Sequence, residues 1–309
     1  MTHREADRSA DTVYEIPLRI RSEHVDATRH LRTSELFRLL QEASIAHTER
    51  LGFPREKTLD RGILWVIARQ SVRIREMPAY DEDVRIVTRP GKRMHYFFPR
   101  FYEMRRNGRT IVEGSALWML ISEETRTFVD PEEYGIRIPG DPDCPEVSLF
   151  APIRLPDGAS ELFQSPFRAR FSQIDINGHM NNARYFDLIE DLLEESGEAG
   201  ADGDRMAFPA DADRDHTAFP ADADRAEAPA DRSAAILRAE AHPFAPQRPP
   251  RVITADYVSE IRPGDRLTVG GYRQGRSFFF FGKETGSEKI KFRIRIAEEP
   301  ESASGEGAG

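Results

Sequence analysis

The chain has 309 residues, one cysteine, 31% charged residues and a formal net charge of −9, long enough for two ordinary domains that each bury a core. A single cysteine excludes an intrachain disulfide and suits a reducing cytoplasm, which is the expected compartment. The polar opening MTHREADRSADT has no apolar segment of the secretory kind, and no apolar run approaches the ~20 residues of a membrane helix, so neither a signal nor a membrane span is expected.

The acidity is local. Residues 197–232 carry ten acids and four bases, residues 297–309 four acids, and residues 1–11 three acids and two bases, which leaves the remainder at +2. In that remainder Arg89, Lys92, Arg93, Arg100, Arg105, Arg106 and Arg109 cluster in the first half. A solvated strand face and a docking patch for an acidic partner are both open readings of them. No segment has the pattern of a nucleic-acid-binding motif.

In chain order, Val13–Arg21 alternates apolar and polar residues as a half-buried strand does. Thr33 is the expected cap of a helix whose face is Leu36, Phe37, Leu39, Leu40, Ala43 and Ala46, stopped by Gly52 and Pro54. Strands are expected at Ile63–Arg75, Asp83–Thr88, Arg93–Arg106 and Thr110–Ile121, the last two joined by an Asn107-Gly108 turn. A Pro- and Asp-rich linker follows over 140–165. The order then repeats: a strand at Phe167–Phe171, a helix over Ala183–Glu195 capped by Asn182, and strands at Arg251–Ile261, Arg266–Tyr272, Ser277–Lys283 and Glu288–Ile296. One helix followed by a run of antiparallel strands describes an α+β unit, present here twice. The units are expected at 12–139 and 166–297, with a disordered acidic tail at 298–309.

The second unit is interrupted. Ala207-Phe-Pro-Ala-Asp-Ala-Asp-Arg214 recurs at Ala218 to Arg225, so about 197–233 reads as a low-complexity, disordered insertion. Its Asp residues lack the Gly and terminal Glu of a calcium loop, and no metal or cofactor is expected.

The repeat also carries the candidate chemistry. Phe171-Ser-Gln-Ile-Asp-Ile-Asn-Gly-His-Met-Asn-Asn182 matches Ser22-Glu-His-Val-Asp-Ala-Thr-Arg-His-Leu-Arg-Thr33, with Asp26 and His30 at the spacing of Asp175 and His179. Asn177 is replaced by Thr28 in the earlier copy. Alone, Asp-Ile-Asn-Gly-His is also a turn sequence. Its position at a helix N-terminus, where free N–H groups polarise a carbonyl oxygen, makes it a candidate site for acyl chemistry.

Asp175-x-Asn177-x-His179-x-Asn181-Asn182-x-x-Tyr185, Tyr257-x-x-Glu260 and Gly264-Asp265 resemble the acyl-acyl carrier protein (acyl-ACP) thioesterase family of plant plastids and bacteria. So do Trp65-Val66-Ile67, Pro78-Ala79-Tyr80, Leu117-Trp118-Met119 and Thr125-Arg126. The resemblance spans about residues 13–297 apart from the insertion. It implies a tandem hotdog fold, each half a long helix wrapped by an antiparallel sheet, packed as a pseudo-dimer. It also implies hydrolysis of the thioester between a fatty acyl chain and the phosphopantetheine of acyl carrier protein, with no cofactor. The reactive set carried over is Asp175, Asn177, His179 and Glu260, and the first half supplies the acyl pocket. Since fused hotdogs satisfy the usual dimer contact, either a monomeric pseudo-dimer or a homodimer is implied.

Aligning Asp81-Glu82 with Gly264-Asp265 sets Met77 opposite Glu260, so the first copy lacks both the Asn and the Glu. One active site per chain is expected. Plant members often carry a Cys directly after the Glu; here that residue is Ile261, and a thiol route requires Cys144 to reach the site. Glu260 is then the candidate to activate water or attack directly. Structural readings stay open for Asp175 as a loop brace, Glu260 as a strand-end carboxylate, His179 as a packed histidine, and Trp65 and Phe278–Phe281 as core. An acyl-CoA thioesterase and a non-catalytic acyl-binding hotdog are the rival functions; a hotdog dehydratase is disfavoured because no His-x-x-x-x-Pro-Gly segment occurs.

Overall fold

The computed structural model describes residues 12–145, 151–196 and 250–299; the expected insertion at 197–233 and most of the acidic tail lie outside the described residues. Strand β1 (Tyr14–Arg19) leads through a short loop to helix α1 (Thr33–Arg50), followed by β2 (Ile63–Ile74), β3 (Asp83–Pro90), β4 (Phe98–Arg106) and β5 (Arg109–Ser122). The second half repeats this plan with β6 (Ser160–Arg168), α2 (Arg184–Ser196), β7 (Arg251–Tyr257), β8 (Arg266–Gln274), β9 (Ser277–Glu284) and β10 (Ile290–Glu298).

The ten strands form one antiparallel sheet in the order β1-β3-β4-β5-β2-β7-β10-β9-β8-β6. Each half contributes five strands in corresponding order, and the two sets meet where β2 pairs with β7, Ser71 opposite Thr254. At that seam the Ser71 and Thr254 hydroxyls lie 3.3 Å apart, and Arg69 pairs with the buried Asp256 at 3.1 Å. This is the tandem hotdog arrangement.

Both helices lie against the sheet on apolar stripes. Helix α1 buries Leu36, Phe37, Leu40 and Ala43, while Leu39 and Ala46 are only half-buried. Helix α2 buries Tyr185, Phe186, Leu188, Ile189, Leu192 and Leu193. The helices meet where Phe37 stacks on Phe186, ring centroids 3.9 Å apart. Each such ring or aliphatic side chain taken from water contributes about 1.5–3 kcal/mol, and a single apolar cluster runs through both halves. The pseudo-dimer contact is thus core, not a wet seam.

Local differences from expectation have identifiable causes. Strand β4 begins at Phe98 rather than Arg93, because Met94 and Phe97 close a tight turn with His95 at φ 50°. Strand β6 begins at Ser160, inside the stretch read as linker, and its pairing with β8 holds residues that show little alternation. The linker also packs: Ile153 donates its N–H to Asp256 and covers Phe279 and Phe281 on the outer sheet face, while Phe278 and Phe280 enter the main core. That explains four consecutive buried phenylalanines in one strand. Thr33 is the first helical residue and not the cap; Arg32 holds the cap position without a side-chain bond. Asn107 and Gly108 form the expected turn, with φ of 49° and 77°.

Candidate active site

Each half passes from its first strand to its helix through the same loop, bonded residue for residue. In the second half the Asp175 N–H donates to the His179 carbonyl at 2.9 Å, the Gly178 N–H to the Asp175 carbonyl at 3.0 Å, and the Asn177 N–H to Asp175 Oδ1 at 2.9 Å. In the first half Asp26 donates to His30 at 3.1 Å, Arg29 to Asp26 at 3.0 Å, and Thr28 to Asp26 Oδ1 at 2.8 Å. The left-handed position is Gly178 in one loop (φ 77°) and Arg29 in the other (φ 64°), where a non-glycine residue is strained.

The loops are anchored alike. Met180 donates to the Ile261 carbonyl at 2.8 Å and Leu31 to the Pro78 carbonyl at 2.9 Å. Glu260 and Met77 therefore occupy corresponding positions, the register expected from the sequence. Met77 is buried and apolar, so the first loop has no carboxylate at that place.

What differs is how the polar groups are used. In the first loop Thr28 Oγ1 donates to Asp26 at 2.6 Å, and His30 Nδ1 lies 2.9 Å from the Thr28 carbonyl. Its polar side chains satisfy one another. In the second loop His179 is buried, and its Nε2 has no hydrogen-bond partner. Its Nδ1 lies 3.4 Å from the Met180 carbonyl and 3.7 Å from Asp175 Oδ1. Both neighbours are acceptors, so the tautomer with its proton on Nδ1 fits this setting and leaves Nε2 as the acceptor. An unpaired buried acceptor costs stability, the kind of group that function retains.

Asn181 ties this loop to the helix. Its Nδ2 lies 3.4 Å from Asp175 Oδ2, and its Oδ1 accepts the Ala183 N–H at 3.0 Å. The capping side chain is therefore Asn181, where the sequence pointed to Asn182. The Asn182 carbonyl instead accepts from the Tyr257 hydroxyl at 3.3 Å.

Glu260 stands just beyond β7. Its Oε1 accepts from Arg126 Nη1 at 3.0 Å, a residue 134 positions earlier in the loop after β5, and Arg262 approaches Oε2 at 3.5 Å. Its backbone carbonyl accepts from Lys291 at 2.9 Å. No hydrogen bond or ion pair joins the carboxylate to His179 among the described residues; the Met180–Ile261 backbone bond links their neighbours. Tyr185 is buried within electrostatic reach of both Asp175 and Glu260. Burial pushes its hydroxyl pKa up, and Asp175 and Glu260 both push it further.

A cavity of about 340 Å³ opens onto this loop. Asp175, Ile176, Asn177 and Asn181 form one end, and α1 with the inner strands of the first half form its walls, including Ile45, Leu64, Trp65, Phe98 and Trp118. Trp65 is thus a cavity residue. Arg100 also lines it, buried, bonded to His47, Thr48 and Thr88, with its pKa lowered to about 10 by burial. His179 and Glu260 are not among the lining residues. Nor is Cys144, whose thiol is pushed up by burial and by Asp141, leaving less of the nucleophilic thiolate. Sequence reasoning did not single out Gln41, a lining residue on α1, or the pairing of Arg126 with Glu260; neither leaves a local pattern. Among the described residues no cluster of His, Cys, Asp or Glu is arranged to hold a metal.

Comparison with known proteins agrees with this architecture. Residues 11–134 match the family described as the acyl-ACP thioesterase N-terminal domain, and residues 158–199 match its C-terminal domain. Among curated proteins, the chain is 25% identical over 193 residues to a chloroplastic dodecanoyl-[acyl-carrier-protein] hydrolase of Cinnamomum camphora, covering 57% of this chain and 50% of that protein. It is 24% identical over 184 residues to a chloroplastic palmitoyl-acyl carrier protein thioesterase of Arabidopsis thaliana, covering 55% and 44%. The chain thus spans about half the length of the curated relatives it matches. Among solved structures, an acyl-ACP thioesterase from Bacteroides thetaiotaomicron superposes with a TM-score of 0.64 at 19% identity, covering 94% of this chain and 98% of that one. The 12:0-ACP thioesterase of Umbellularia californica gives 0.63 at 17% identity, covering 93% and 96%. Two paired loops on one ten-stranded sheet, with both family domains matched in order, place the chain in the acyl-ACP thioesterase family.

Proposed function

We propose that the protein hydrolyses the thioester of a fatty acyl chain carried on acyl carrier protein, releasing the free acid, with a single active site built around Asp175, Asn177, His179 and Glu260. The observation that carries this reading is the cavity of the first half, largely apolar along its walls and lined also by Asp175 and Asn177. An alkyl chain suits such walls, since burying each methylene contributes about 0.8 kcal/mol. Its thioester carbon is then placed toward the loop of Asp175 and Asn177, where among the described residues the side chain of Asn177 makes no hydrogen bond.

In this reading Asn177 and the N-terminal turn of α2 polarise the carbonyl oxygen. Asp175 orients the Nδ1–H of His179, whose free Nε2 accepts a proton; general-base assistance of this kind is worth about 10²- to 10⁴-fold. Glu260, held by Arg126, fixes or deprotonates the attacking water. The leaving thiolate has a conjugate thiol pKa of ~8.5, so carbonyl polarisation matters more than acid assistance. An acyl carrier protein is the proposed partner on the family match, since Arg89, Arg93, Arg105, Arg106 and Arg109 are paired with acids and Arg100 is buried. The reducing cytoplasm remains the proposed setting.

The test is a panel of acyl groups of graded length, each presented on acyl carrier protein and on coenzyme A, with free acid measured. Release from the carrier-protein series at higher kcat/KM supports the proposal. Preference for coenzyme A moves the substrate to the other carrier, and saturable acyl binding without release makes the protein an acyl-binding module.

A further inference from the structure

The two loops are related by an offset of 149 residues, Asp26 to Asp175 and His30 to His179. The same offset carries Gln41 of α1 onto Glu190 of α2. Glu190 reaches across to the opposite half: its carboxyl is hydrogen-bonded by Thr33 and repelled by Asp26, both belonging to the first loop and its helix start. Pseudo-two-fold symmetry requires Gln41 to reach across in the other direction, toward the loop that carries His179. Gln41 lines the same cavity as Asp175, Asn177 and Asn181 of that loop.

Thus each loop faces a polar side chain from the same turn of the other half's helix, and the two positions have diverged. The degenerate loop meets an acid, the candidate catalytic loop a neutral amide. Among the described residues the Gln41 carboxamide makes no hydrogen bond, and neither does the side chain of Asn177, although its backbone N–H is bonded to Asp175. Two carboxamides, one from each half, therefore line one cavity beside a carboxylate with their N–H groups unused.

We propose that Gln41 is a further catalytic residue, donating with Asn177 to the carbonyl oxygen of the bound thioester; this rests on the thioesterase reading above. As water adds, its oxygen bonds to the carbonyl carbon, its proton passes to the protein base, and the carbonyl π pair moves onto oxygen. That oxyanion receives the two amide N–H groups. Collapse restores the carbonyl, breaks the carbon–sulfur bond, and returns the proton to the departing thiolate. An amide serves here because it donates without carrying charge beside Asp175. A carboxylate would repel that neighbour, as Glu190 and Asp26 repel each other in the other half.

The experiment compares wild type with Gln41→Leu and Gln41→Glu on an acyl carrier protein substrate the wild type hydrolyses, with thermal unfolding recorded for each. Loss of one oxyanion donor costs about 10²- to 10³-fold in kcat, so Gln41→Leu is expected to lose about 10²-fold in kcat with KM within about threefold. Gln41→Glu can donate only while protonated. The other charged groups lining the cavity are Glu42, Glu49, Arg55, Arg100 and Asp175, and Asp175 is the one that shares the loop end. The activity of Gln41→Glu relative to wild type is therefore expected to fall as pH rises, a change that loss of packing does not produce. A Gln41→Leu kcat within twofold of wild type overturns the proposal. So does a Gln41→Glu ratio that stays constant with pH, which decides the matter if the Leu variant does not fold. A wild type that releases no acid from any acyl thioester ends the thioesterase reading, and this proposal with it.

Discussion

Arg126 donates to the Glu260 carboxylate at 3.0 Å, joining the loop after β5 in the first half to the end of β7 in the second. Both side chains are about three-quarters buried, and the carboxylate has Arg262 as a weaker second partner. A single ion pair of this exposure is worth roughly 0–1 kcal/mol to stability. Its larger effect is to fix where the carboxylate points. Arg126→Met is therefore expected to lower turnover at least about tenfold while shifting Tm by no more than about 4 °C. Arg126→Lys keeps charge but loses the planar fork and is expected to fall between. A large loss of Tm with unchanged turnover makes this pair a structural clamp and removes Glu260 from the proposed site.

The two loops share a backbone and differ in side chains, which permits a matched comparison. Asn177→Ala and His179→Ala each remove a group unpaired at its working atoms and are expected to cost about 10²-fold or more in kcat. Thr28→Ala removes the 2.6 Å bond to Asp26 and is expected to cost about 1 kcal/mol of stability with turnover unchanged. Paired kinetics and melting curves check this. Equal losses of turnover at Thr28 and Asn177 contradict the single-site reading.

Much of this arrangement was legible in the sequence, for a physical reason. The repeat, the succession of strands along the chain and the match of Met77 to Glu260 all follow from local patterns: alternation, turn residues and a spacing copied from one half to the other. The backbone bonds from Leu31 to Pro78 and from Met180 to Ile261 then realise that spacing in space. What was not legible depends on side chains brought together from far apart. Arg126 and Glu260 are 134 residues apart, Gln41 is an unremarkable polar residue on a helix, and β6 is held by pairing with β8 despite its proline. The choice between Asn181 and Asn182 as cap turned on one residue of helix phase, which composition does not encode.

That choice gives its own test. Asn181 bonds both Asp175 and the Ala183 N–H, whereas Asn182 contributes a backbone carbonyl that substitution leaves in place. Asn181→Ala is expected to cost about 0.5–2 kcal/mol and to reduce turnover through the loosened Asp175. Asn182→Ala is expected to do neither to the same extent. Unfolding and kcat measured on both variants decide it, and a greater loss at Asn182 overturns the assignment of the cap.

Glu190 supplies a prediction that does not depend on catalysis. Burial first, then Asp187 and Asp26, raise its carboxyl pKa from 4.5 to about 8, against the opposing bond from Thr33. The folded protein therefore holds a proton that the unfolded chain releases above about pH 4.5. Stability falls as pH rises through that window, is unaffected by this group below it, and is constant in it above about pH 8. The cost at the alkaline end is on the order of a few kcal/mol. Glu190→Gln keeps the shape and the bond to Thr33 without the ionisation. The variant is expected to match wild type near pH 4.5, to unfold at a higher temperature at pH 8, and to show a flatter dependence between. Parallel curves for the two proteins across that range mean that Glu190 ionises freely. In that case the acid at this position does not face Asp26 as the pseudo-two-fold relation requires.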